Sequence, residues 1–136
     1  MLYLIFSLLF SAFVFYLRYL FHEYNKKMEQ VTLSEENGAY HLHYINHQPV
    51  ILASFYIRGL QAGGYTWKAI LRAGMLQKNE TLLKPVCFDP EGDGLIFSSE
   101  DKAAARQTKV ILDRARNSTL YREYCIAVAY LGGYLE

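Results

Sequence analysis

The chain has 136 residues, with fourteen Lys and Arg against thirteen Asp and Glu. That length favours one domain, and the near balance of charge argues against a nucleic-acid binder, which normally carries a basic face. Two cysteines, Cys87 and Cys125, are too few for a disulfide framework; two buried thiols are expected, with one bridge left open if the domain is exported.

The first element is apolar. "MLYLIFSLLFSAFVFYLRYLF" runs from Met1 to Phe21 with Arg18 as its only charge. About 20 apolar residues suffice to cross a hydrocarbon core of roughly 30 Å. Arg18 sits near the end, where a long side chain reaches the headgroups. A cleaved signal peptide and a buried core helix are the alternatives. The basic n-region and the small-residue cleavage site of a signal peptide are missing. Residues 1–21 therefore read as a single membrane anchor in contact with the lipid bilayer, as in a single-pass bacterial inner-membrane protein. Arg18, Lys26 and Lys27 follow the span and no Lys or Arg precedes it, which places the C-terminal part in the cytoplasm. Residues 22–29 read as a linker, and residues 30–136 as the folded domain.

The period then changes. Val31 and Leu33 alternate with Thr32 and Ser34, and Asn37-Gly38 separates this run from "AYHLHYI". Asn-Gly supplies the positive φ angles of a type I′ hairpin turn. In the second strand Tyr40, Leu42 and Tyr44 share one face, and His41, His43 and Ile45 the other. "VILASFYI", residues 50–57, is apolar on both faces and reads as a central, covered strand.

Helical spacing follows at Trp67, Ile70, Leu71, Gly74 and Met75. Thr66 is placed to cap that helix, and Asn79 a short second turn that Pro85 stops. "VCF" and "LIFS" are short strands joined by an acidic turn. Ser98 or Ser99 then caps a helix whose inward stripe is Ala104, Thr108, Ile111, Leu112 and Ala115. The last helix presents Leu120, Tyr124, Ala127 and Leu131, beside Tyr121, Cys125 and Val128, and ends at Gly132-Gly133. The pattern is α+β: an N-terminal transmembrane helix, then an antiparallel sheet with helices packed on one face.

The acidic turn, "CFDPEGDGLIFSSED", carries Asp89, Glu91 and Asp93 at alternate positions. With Glu100 the spacing fits a calcium loop except at Glu91. Such a loop needs a helix on both sides, whereas "VCF" and "LIF" are strand-like. A tight turn with Gly92 and Gly94 explains the residues more simply. His41, His43 and His47 are near one another, but zinc needs further ligands and no other His or Cys is close in sequence. The Gly63-Gly64 and Gly132-Gly133 pairs lie at element ends, where chain geometry explains them. No nucleophile motif and no phosphate-binding loop is present. Twelve tyrosines suit either interfaces or a sheet and its core.

Gly64-Tyr65-Thr66-Trp67 opening a helix, then Phe88-Asp89-Pro90-Glu91, Phe97 and a long amphipathic helix, resemble the immunity protein 51 family of bacterial polymorphic toxin systems. The similarity covers roughly residues 35–130. It implies a small α+β protein without enzymatic activity that neutralises a cognate toxin by binding it. No cofactor is implied. Asp89, Glu91, Asp93 and Tyr65 are the candidate toxin contacts, the carboxylates complementing a basic cleft. The N-terminal span departs from the many soluble members of the family. Two other readings compete with a membrane-anchored immunity protein. One is a small calcium- or zinc-binding membrane protein, and the other a structural subunit of a membrane complex.

Overall fold

The computed structural model describes residues 2–28 and 31–135. It divides the chain into two compact units, residues 1–30 and 31–136. The first holds helix α1, Leu2–Met28. The helix carries on to Met28, within the segment 22–29 expected to be a linker. Among the described residues, no helix is long and apolar enough to cross a membrane. The expected span over residues 1–21 therefore lacks support. Its large apolar side chains are nonetheless exposed, among them Phe6, Leu8, Phe10, Phe13 and Phe15.

The second unit is α+β. Strands β1 (Leu33–Glu36), β2 (Ala39–Ile45), β3 (Val86–Pro90) and β4 (Gly94–Ser99) form one antiparallel sheet in the order β1-β2-β4-β3. The β1–β2 hairpin turns at Asn37 and Gly38, with φ of 53° and 79°, the signs that a type I′ turn requires. Alternation then sorts the faces. Leu42, Tyr44, Leu95 and Phe97 are buried, while His43 is exposed and His41 half-buried on the other face.

Residues 50–57 are not a strand. They lie in helix α2, Pro49–Ile57, and β2 pairs directly with β4. Local geometry decides this. Pro49 opens the helix, where its fixed φ and missing N–H cost nothing. Gly59, at φ 68°, closes it. The Leu60 N–H donates to the Phe55 carbonyl and the Gly59 N–H to that of Tyr56, which is a Schellman motif.

Helix α3 (Gly64–Lys78) buries Trp67, Ile70, Leu71, Gly74 and Met75, as the spacing predicts. Thr66 does not cap it; Gly63 precedes the first turn, and the Thr66 hydroxyl donates to the Gln61 carbonyl. Asn79 does cap the short 3-10 turn Glu80–Leu82, accepting from the Thr81 N–H at 3.0 Å. Helix α4 (Lys102–Asn117) buries its expected stripe, but its cap is Asp101, which accepts from the N–H groups of Ala103 and Ala104. Ser98 and Ser99 belong to β4.

Helix α5 (Thr119–Leu131) buries Arg122, Cys125, Ile126 and Ala129. The expected stripe of Leu120, Tyr124, Ala127 and Leu131 points instead to solvent. Gly133, at φ 70°, ends the helix as expected.

Helices α3 and α4 lie on the sheet, and α5 packs against both of them. Trp67 sits in the core with its ring edge-on to Tyr44 at 5.0 Å and to Phe55 at 5.7 Å. Arg122 is buried because it has work at the end of α4. Its Nη1 donates to the Ala115 carbonyl at 2.8 Å and faces that of Arg116 at 3.4 Å. These belong to the last turn of α4, whose carbonyls lack helical partners.

Candidate functional site

The four candidate contacts come from two segments far apart in sequence. Asp89 lies on β3 opposite Ile96, and Glu91 and Asp93 lie in the β3–β4 turn. All three carboxylates are exposed, and among the described residues no ion pair engages them. Tyr65 is on the first turn of α3 and half exposed.

Backbone contacts bring these segments together. The Glu91 N–H donates to the Gly94 carbonyl at 2.7 Å and closes the turn, while the Gly64 N–H donates to the Glu91 carbonyl at 2.9 Å. The turn thus seats on the N-terminus of α3, where free N–H groups need acceptors. The approach is so close that no side chain fits. A Cβ on Gly63 would lie 2.0 Å from the Gly92 oxygen, and one on Gly64 1.9 Å from the Gly94 oxygen. The glycine pair, read from sequence as an element end, is what lets the acidic tip rest on the helix. Tyr65 follows directly and borders a cleft of about 160 Å³. Lys68, Arg72 and Tyr134 also line it, and the Arg72 guanidinium lies 4.3 Å from the centre of the Tyr134 ring.

The acidic segment has a strand on each side, so it lacks the flanking helices of a calcium loop. Among the described residues no group of three His, Cys, Asp or Glu side chains is placed to hold a metal ion. Cys87 and Cys125 are free, and Cys87 is exposed rather than buried because it falls on the outer face of β3. Burial pushes the Cys125 thiol up, and burial first pushes Tyr121, its neighbour, to about 12.

One concavity was not foreseen. Between the C-terminal turns of α3 and α4 and the start of α5 runs an open groove of about 810 Å³. Arg114 stacks over Tyr121 within it, 4.1 Å from the ring centre, and the Tyr124 hydroxyl donates to Gln77 Oε1 at 2.9 Å. The signal was present in the sequence as the Leu120–Tyr124 spacing on the last helix.

No curated protein and no solved structure matches the chain. A family model described as Immunity protein 51 matches residues 30–126. The matched stretch contains the whole sheet, the acidic turn, its seat on α3 and most of α5. Over that length the chain belongs to the immunity protein 51 family.

Proposed function

We propose that this protein neutralises a cognate toxin by binding it stoichiometrically and covering its active site, without chemistry of its own. Membership of the immunity family supports a toxin-directed role. The observation that carries the contact assignment is the acidic tip, held by backbone bonds on α3 beside the exposed Tyr65. Three clustered carboxylates raise a local field suited to a basic partner, and a pre-ordered tip loses little freedom on binding. Glu91→Lys with Asp93→Lys, both in exposed positions, is expected to leave the fold intact. Association with its cognate toxin should slow by about tenfold or more at low salt. Protection on co-expression should weaken with it. Full protection with unchanged association rates would remove the tip from the interface.

A second element of the proposal is that α1 associates with lipid and holds the binding domain at the inner membrane, facing the cytoplasm. Its exposed phenylalanines and leucines support this, since exposed side chains this apolar favour an apolar environment. The failure of any described helix to meet the length and apolarity of a span weighs against it. Fractionation decides: the full chain is expected in membranes after an alkaline carbonate wash. Recovery in the supernatant would remove the anchor.

A further inference from the structure

The stripe of Leu120, Tyr124, Ala127 and Leu131 on α5 faces outward. Leu120 and Leu131 are 83% and 86% exposed, with Tyr124 half exposed between them. Their spacing, with Ala127, places all four on one side of the helix. An apolar stripe on a helix ordinarily faces packed protein, and contiguous exposed apolar area marks interaction sites. The stripe also runs into a built concavity. Leu120, Tyr121 and Tyr124 form one wall of the 810 Å³ groove, and Gly74 and Gln77 of α3 line the other. Lys78 and Arg114 are its charged residues, and among the described residues no carboxylate lines it.

We infer that this stripe and groove form a second toxin contact, taking an apolar segment of the toxin flanked by Asp or Glu side chains. The inference rests on the toxin-binding reading above. Charge selects the occupant. Lys78 and Arg114 attract carboxylates, and Tyr and Arg are the residues enriched where binding energy concentrates. A second copy of this chain fits less well. The groove's cations would need acids from the other copy's own groove face, and none lines it. Nearby Glu123 is already paired with Arg58. The acidic tip lies at the opposite end of α3, roughly 20 Å of helix away. A toxin engaging both ends meets opposite charges at each and is held in one orientation.

The test uses the full chain in mild detergent and an inactivated form of its cognate toxin, with affinity measured by calorimetry. Leu120 and Lys78 are exposed, so Leu120→Asp with Lys78→Glu should keep the parent's circular dichroism. Its affinity should fall by roughly 30-fold or more, the scale of a lost hot spot. Leu120→Met, which keeps the apolar contact, should bind within about threefold of the parent. Parent-like affinity of the double variant would overturn the groove and leave the toxin-binding reading standing. Failure of the parent itself to bind would overturn both. A parent dimer that Leu120→Asp converts to monomer would assign the stripe to a second copy and overturn the toxin occupant.

Discussion

Trp67→Ala should cost about 3–5 kcal/mol of stability, the usual range for truncating a buried aromatic. Domains of this size are stable by about 5–15 kcal/mol, so the variant should stand near the edge of folding. The reason is position. Trp67 is 1% exposed and joins three elements: its own helix α3, β2 through Tyr44 and α2 through Phe55. Removing the ring opens a cavity where sheet and helices meet, and close-packed neighbours fill such space only in part. Trp67→Phe should lose much less. It keeps the edge contacts and discards an indole N–H that is buried without a hydrogen-bond partner. Urea unfolding followed by far-ultraviolet circular dichroism measures both, since Trp67 is the sole tryptophan and its fluorescence is lost in each variant. An unchanged midpoint for Trp67→Ala together with lost toxin binding would make the residue an interface anchor instead.

Periodicity carried much of this fold. The Asn37-Gly38 hairpin, the buried face of α3, the β3–β4 pair and the stripe of α4 all follow from spacing and turn chemistry alone. Spacing failed where it was degenerate. The eight residues after Pro49, all apolar but Ser54, satisfy strand and helix equally. The deciding marks were Pro49 just inside the start and Gly59 just past the end, an asymmetry that belongs to helices. Helix α5 failed for a different reason. Both of its faces carry apolar residues, and the buried one includes Arg122, which a sequence reading puts in water. That face also holds Cys125, Ile126 and Ala129, and the last carbonyls of α4 accept from Arg122 once it is turned inward. The candidate contacts were legible one segment at a time: the carboxylates from their clustering, Tyr65 from the family motif. That they adjoin follows from a backbone contact between Gly64 and Glu91, and side-chain patterns do not encode it.

That contact makes Gly64→Ala the sharpest single test of the site. In an ordinary helix, replacing Gly by Ala gains up to about 1 kcal/mol. Here the sign should reverse. The new methyl group would lie 1.9 Å from the Gly94 oxygen and 2.7 Å from the Glu91 nitrogen. Both are backbone atoms and cannot swing aside. Relief requires the turn to lift, which breaks the Gly64 N–H bond to the Glu91 carbonyl and strains the Glu91–Gly94 closure. A loss of about 1–3 kcal/mol or more is expected, as for other overpacked sites. The acidic tip should move away from Tyr65, so protection against the toxin should fall beyond what stability explains. Gly92→Ala is the control. A Cβ there meets nothing within 4 Å, so the same chemical change in the turn itself should leave stability within about 0.5 kcal/mol of the parent. Thermal unfolding and co-expression with the toxin, run on both variants, separate the seat from the tip. If Gly64→Ala matches or exceeds the parent's stability, the turn is not seated on α3, and the carboxylates and Tyr65 do not form one surface.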